Sequence, residues 1–453
     1  MAVSTYEKIY NAAPGPLKEL LVTLEAYRRS RYRRYGDAEA VRSAYSFSHY
    51  QRLSLEQIQG EQLEKLRALV AKARAHSDFY RSLPEVIDTL DDLATLPIVT
   101  KADIRSSRDQ MIVQGTRSQE LWSGMTSGST GTPLRLLVGR EGIRARFAIQ
   151  HEYYALFGCH YGERRVRFGG SKVKPTEQRE PPFWIINRFD HQLQMSPYHM
   201  FPEALPLYVR KLNDFKPVYL TGYAHALYVL GEHIADSGGL TVPIKAIFTD
   251  SEGVPPHYIP IIERGFGAPV YDVYGLGEVG WVAVQCKHKR YHLLERSCIA
   301  EIVDDDGNPV QNGEPGRIVV TDLTQSVVPY IRYDTGDMGR LSPDTTCGCG
   351  WHTRILESID GRADDLLITP SGRKVGRLSH VSKPGRGILE SQIVQTAPDR
   401  VVIRVVPLPD FDATSMEDVV AVARHLIGED VIITWEAVES IPRTHRHKFK
   451  HVI

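Results

Sequence analysis

Apolar residues recur at three- and four-residue spacing through QLEKLRALVAKARAH, placing Leu63, Leu66, Leu69, Val70 and Ala73 on one face of a helix. The same periodicity, from Tyr6 to about His76, predicts a helical leader. The pattern then changes. At LPIVTKADIR, Pro97 closes an extended piece, and Thr100 with Asp103 has the form of a helix N-cap followed by an acid in the first turn. From there to about residue 360, the short apolar runs LRLLV, VYL, IKAIF, PVYDVY, IAEIV and RIVVT alternate with helical stretches, which predicts α/β layers. Asp305-Asp306-Gly307-Asn308 between two such runs predicts a hairpin, so antiparallel pairing is expected as well. In the last ninety residues or so, strand signals at ILESQIVQ, DRVVIRVV and VIITWEAV surround one helix, with Thr414 and Glu417 as a capping box and Gly428 as its stop. That predicts a small α+β unit, with its boundary at GRADD between Gly361 and Asp365.

Composition narrows the function classes. A chain of 453 residues exceeds one compact core. Lys+Arg and Asp+Glu both total 55, so there is no global attraction to nucleic acid or anionic lipid. No apolar run approaches the roughly 20 residues needed to span a bilayer, and no basic-then-apolar leader opens the sequence, so a cytoplasmic location without membrane association is expected. Five cysteines, an odd number, do not make a secreted disulfide framework.

Three stretches carry candidate chemistry. In Thr126-Ser127-Gly128-Ser129-Thr130-Gly131-Thr132-Pro133, hydroxyls interleave with glycines that let backbone N–H groups approach phosphate oxygens. A surface turn of small polar residues is the alternative. Tyr274-Gly275-Leu276-Gly277-Glu278-Val279-Gly280 follows a strand and contains a literal G-x-G-x-x-G. It lies too deep in the chain for a dinucleotide fingerprint, and Glu278 suits a magnesium ligand that reaches phosphate oxygens better than a neighbour of pyrophosphate. In Tyr333-Asp334-Thr335-Gly336-Asp337, a carboxylate at a loop tip is able to accept from two vicinal ribose hydroxyls, and ordinary turn chemistry is the alternative for Asp337.

In this order, and with Gly361-Arg362-Ala363-Asp364-Asp365 and the terminal Ile441 to Lys448 after them, these stretches resemble the core motifs of adenylate-forming enzymes. The branch they resemble is the phenylacetate–CoA ligase family, particularly its CapK-like members. The resemblance implies a large multi-layer adenylating domain over 1–362, led by helical residues 1–95, and a small mobile α+β lid over 363–453. It implies an enzyme that activates a carboxylic acid with ATP and Mg²⁺ as acyl-AMP, releases pyrophosphate, and passes the acyl group to CoA or an amine. A nucleotide-binding regulatory or scaffolding protein of the same fold without turnover is the alternative.

Residue by residue, the resemblance has Thr126, Ser127, Gly128, Ser129, Thr130 and Gly131 hold the phosphates. Glu252, Tyr274 and Gly275 flank the adenylate, Glu278 positions Mg²⁺, and Asp337 binds ribose. Arg362 belongs to the Gly-Arg-x-Asp-Asp stretch, Asp364 is the hinge, and Lys448 is the lysine inserted by the lid during adenylation. An in-line displacement at phosphorus needs positive charge where the leaving oxygens gather negative charge, which suits Lys448 independently. Thr132 and His447 depart from the family pattern, and LLITPSGRKVG lacks the Arg-Gly loop of standard CoA ligases. These departures bear on the thiol acceptor rather than on adenylation. Tyr219, Tyr223, His225 and Tyr228 suggest a pocket wall for an aromatic or otherwise apolar acid, with His225 meeting the carboxylate; packing of a helix on a sheet is the alternative.

Cys286, His292 and the C-x-C turn of Cys347 and Cys349 make a Cys₃His set, the composition of structural zinc, with His288 as the competing nitrogen ligand. The family resemblance points the same way. Cys159 and Cys298 are expected to be packing residues.

Overall fold

The computed structural model describes residues 14–33, 44–125, 135–170, 173–174, 178–362, 367–370, 374–375, 381–382, 385–442 and 452–453. The predicted leader contains helices α1 (Gly15–Arg33), α2 (Ser48–Arg52) and α3 (Leu55–His76). α3 begins at a capping box in which the Ser54 hydroxyl accepts from the Gln57 amide and the Gln57 side chain accepts from the Ser54 amide. It buries Leu66, Leu69, Val70 and Ala73, four of the five positions its periodicity singled out. Thr100 and Asp103 form the same reciprocal cap at α4 (Lys101–Met111).

Strands β1 (Leu121–Met125) and β2 (Arg135–Gly139) pair antiparallel, and the intervening 126–134 lie outside the described residues. Helix α5 (Arg140–Ala155) follows directly. It covers one face of a sheet to which twelve of the described strands contribute. One half of that sheet runs β4 (Trp184–Asn187), β5 (Gln192–Met195), β3 (Arg165–Phe168), β6 (Tyr219–Gly222), β7 (Ala246–Thr249) and β8 (Val270–Leu276), parallel from β5 to β8. Alternation along these strands feeds two cores. Val166, Phe168, Leu220 and Ile247 pack under α6 (Leu205–Phe215), α7 (Ala224–Ser237) and α8 (Tyr258–Phe266), while Tyr219, Ala246 and Phe248 face α5.

The other half is antiparallel: β9 (Gly280–Gln285), β10 (Tyr291–Leu293), β14 (Ile355–Arg362), β13 (Tyr333–Leu341), β12 (Gly316–Asp322) and β11 (Cys298–Val303). Between β11 and β12 the chain turns as expected near residue 305, but Asp304 organises the turn, its Oδ1 accepting the amides of Asp306 and Asn308. β8 therefore has a parallel neighbour on one side and an antiparallel one on the other. A crevice at the carboxyl end of such a switch strand is where open α/β sheets place their ligands.

After a ribbon of β15 (Leu367–Ile368) and β16 (Lys374–Val375), strands β17 (Arg386–Ala397), β18 (Arg400–Asp412) and β19 (Ile432–Ala437) form a separate sheet under α9 (Met416–Ile427). Their core, from Leu367 to Val452, is a third cluster of its own. The chain is thus a large mixed α/β portion followed by a smaller α+β segment. The helix stop falls at Gly428 as expected. The start does not: Thr414 and Glu417 form no capping box, because a 3-10 turn precedes the helix and Asp412 Oδ1 takes the Thr414 amide.

Candidate active site and metal centre

The chain leaves β8 through Tyr274, Gly275 and Leu276 and doubles back into β9 after Glu278. A Cβ on Gly275 would lie 2.6 Å from the Gly280 carbonyl oxygen and 2.7 Å from the Trp281 Cα, so only glycine allows so close a return. The turn brings Glu278 inside at 3% exposure. Tyr333, at the start of β13, donates its hydroxyl to Glu278 Oε1 at 3.0 Å. Arg146 of α5 donates to the Gly277 carbonyl at 2.8 Å and the Glu278 carbonyl at 2.6 Å, and its Nη2 lies 3.2 Å from Asp322 Oδ2. Asp322 is held in turn by Thr324 and by the Gln325 amide. A buried carboxylate is costly without a cation, and a neutral phenol offsets only part of that cost. The arrangement fits an oxygen-seeking divalent ion such as Mg²⁺.

Tyr274 donates to Asp337 Oδ2 at 2.9 Å, and Thr335 Oγ1 accepts the Asp337 amide at 3.0 Å. Asp337 is not at a loop tip, as its Thr-Gly context suggested. It lies within β13, opposite Arg362 of β14, where a bulge displaces the register and Gly336 takes φ +73°. Tyr274 consequently positions the aspartate.

Glu252 Oε1 accepts the His225 backbone amide at 2.8 Å, supplying the N-terminal cap that Tyr223 lacks. His225 Nδ1 lies 3.2 Å from the Tyr258 hydroxyl and 3.6 Å from Glu390 Oε1 of β17. Tyr228 stacks on Tyr258 at 4.1 Å, and Tyr219 is fully buried beside Tyr154 and Phe248. Packing thus accounts for Tyr219 and Tyr228. Thr126, Ser127, Gly128, Ser129, Thr130, Gly131, Asp364 and Lys448 lie outside the described residues, and Arg362 is described by its backbone alone.

At the opposite end of the β8–β9 hairpin, ligand atoms of Cys286, His292, Cys347 and Cys349 lie within 4.8 Å of one another. Cys286 Sγ and Cys347 Sγ are 3.8 Å apart, and Cys349 Sγ is 3.3 Å from His292 Nε2. Zn–S bonds of about 2.3 Å in a tetrahedron give a sulfur–sulfur edge of about 3.8 Å. His292 Nδ1 meets Thr353 Oγ1 at 3.0 Å, which orients the ring so that Nε2 faces the thiols. Burial, with Arg290 adding to it, lowers the imidazole pKa to about 4, so the ring is neutral as a metal ligand must be. Of the two candidate histidines, His292 and not His288 joins this set. Cys159 and Cys298 are buried elsewhere.

Arg146, Asp322 and Thr353 escaped the sequence reading. Arg146 sits in an ordinary amphipathic helix, and nothing local marks it; Tyr333 stood inside a quoted motif without a role.

Residues 367–453 match the family model described as the CapK C-terminal domain. Over 454 residues, 96% of each chain, the sequence is 24% identical to Protein CapK of Staphylococcus aureus. It is 28% identical over 353 residues to phenylacetate-coenzyme A ligase of Escherichia coli strain K12, covering 70% of this chain and 73% of that one. The backbone is similar to 2-hydroxyisobutyryl-CoA ligase in its postadenylation state, with a TM-score of 0.69 at 20% identity over 92% of this chain and 93% of that one. The chain is thus similar in sequence to CapK and to the phenylacetate–CoA ligases, and in fold to a CoA ligase.

Proposed function

We propose that this chain is an ATP-dependent ligase that activates a carboxylic acid as acyl-AMP and then transfers the acyl group to CoA or an amine. The observation that carries the reading is the meeting of Glu278, Tyr333, Tyr274 and Asp337 where β8 switches from parallel to antiparallel neighbours. In the first half-reaction a carboxylate oxygen of the acid bonds to the α-phosphorus of ATP, the bond to the bridging oxygen breaks, and pyrophosphate leaves with that electron pair. In the second, the acceptor thiol or amine adds to the acyl carbon and AMP leaves.

Asp337 accepts from the ribose hydroxyls, and Tyr274 keeps its carboxylate aimed. Glu278 holds Mg²⁺, which when bound neutralises charge on the phosphate oxygens. Tyr333 and Arg146 fix the Glu278 turn from side chain and backbone. On the family resemblance, 126–131 close on the phosphates, Glu252 borders the adenine, and His225 lies toward the acid. Residues 1–362 and 363–453 act as separate domains, the small one turning at Asp364 to deliver Lys448. Cys286, His292, Cys347 and Cys349 hold a structural zinc ion.

The test is pyrophosphate release from ATP across a panel of acids, repeated with CoA and with hydroxylamine. Acid-dependent release with thioester or hydroxamate formation is expected. ATP binding with no release for any acid would instead make the chain a nucleotide-binding protein without turnover.

A further inference from the structure

Under α5, the sheet face departs from the apolar alternation that a helix-covered face normally has. β3 presents Arg165 and Arg167, and β5 presents Gln192 and Gln194, each pair directly across the ladder. A cavity of about 360 Å³ lies over this row, roofed by Phe147, Gln150 and Tyr154 of α5. It runs along β3 from Gly169 and Gly170, at the carboxyl end of the parallel strands, to Arg165, a distance of about 13 Å at strand rise. One feature ties the cavity to the Glu278 turn. α5 bonds the Glu278 turn through Arg146, the residue before Phe147. At the rim, a Cβ on Gly170 would lie 2.3 Å from the hydroxyl of Tyr223, which precedes α7.

The two arginines differ. Arg167 is neutralised by a two-pronged ion pair with Asp250 at 2.6 and 3.0 Å. Arg165 is only 7% exposed, and its Nη1 donates at 2.8 Å to the carbonyl of Asp190. Among the described residues no carboxylate forms an ion pair with it. The Asp190 carboxylate at the same end is engaged by the Asn187 amide at 3.0 Å. A guanidinium removed from water without a counter-charge is unfavourable, and its planar fork matches a carboxylate, phosphate or sulfate.

We infer that this cavity receives the tail of the acid substrate, and that the tail carries an anionic group which Arg165 binds at the end of the cavity away from Gly169 and Gly170. The inference rests on the ligase reading and replaces the aromatic or apolar acid expected from the tyrosines with an acid charged at both ends. A neutral tail would leave the guanidinium without a counter-charge, and a shorter dianion would not reach it.

A matched pair of acids tests this: 3-phenylpropionate and 3-(4-carboxyphenyl)propionate, with wild type, Arg165→Met and Arg165→Lys. Binding of each acid is measured calorimetrically without ATP, and kcat/KM by pyrophosphate release. Wild type is expected to favour the dicarboxylate by about tenfold or more. In Arg165→Met its KM and Kd rise by about 10- to 100-fold while the monoacid changes by less than about twofold, and Arg165→Lys falls between. Arg165-dependent binding of the dicarboxylate, with pyrophosphate release from no acid of the panel, would keep the anion site and remove the ligase reading. Turnover of both acids with no preference, or a preference unchanged in Arg165→Met, would overturn the anion site and keep the ligase. Failure of the dicarboxylate to bind wild type would overturn it as well.

Discussion

At the Glu278 end of the β8–β9 hairpin, carboxylates and phenols are brought together singly by residues distant in sequence: Tyr333 reaches Glu278, Asp337 receives Tyr274, and Arg146 closes the turn from α5. At the Cys286 end, two thiols come from one C-x-C turn and the imaginary tetrahedron is filled by soft donors. The two ends are about 20 Å apart along β9. The first set is hard and incomplete, as suits an ion that shares its shell with a substrate's oxygens. The second is soft and closed, as suits an ion that only holds chain together. On the proposed function, one hairpin carries a reactive site and a staple, and perturbing each should produce opposite signatures in rate and stability.

The largest effect is expected at the reactive end. Glu278→Gln and Lys448→Ala should each slow acyl-AMP formation by about two to three orders of magnitude, measured by single-turnover pyrophosphate release, with little change in melting temperature. A wild-type rate in either variant would dissolve the contrast on that side. At the other end, Cys349→Ser should abolish zinc in metal analysis and lower the melting temperature by about 5–10 °C, while kcat at low temperature stays within about twofold. A zinc-free wild type with all three ligand cysteines reduced would remove the staple.

A smaller effect sharpens the reactive end. Tyr333→Phe takes away the hydroxyl donated to Glu278 and should lower kcat by about three- to tenfold, with the magnesium concentration for half-maximal rate displaced. A change in stability without a change in rate is expected at Asp272 on the shared strand β8. Burial raises its pKa to about 7, against the hydrogen bonds from Thr249 and Tyr291. The native state then keeps a proton that the unfolded chain has lost, so stability declines as pH rises from about 4 to 7, by at most about 1.4 kcal/mol per unit. Asp272→Asn should flatten that slope in denaturant titrations.

Buried parallel strands were legible because they are continuous apolar runs: IKAIF and PVYDVY became β7 and β8. RVRF and QLQM were not read as strands, since Arg165, Arg167, Gln192 and Gln194 break the apolar pattern, and those same residues line the cavity. Glycine hid β13 in a similar way. Thr335-Gly336-Asp337 has turn composition, and only pairing with β12 and β14 makes it a strand. The Cys₃His set was readable from residue type. Excluding His288, the competing ligand, required knowing that His292 lies in β10, opposite Val284 of β9 and Ile355 of β14.

The central claim is reversible formation of an acyl-AMP at the Glu278 end, and isotope exchange between pyrophosphate and ATP tests it most directly. With a dicarboxylate of the length that reaches Arg165, the full-length protein should incorporate labelled pyrophosphate into ATP only when acid and magnesium are both present. Exchange that proceeds equally without acid, or release of orthophosphate in place of exchange, would contradict it.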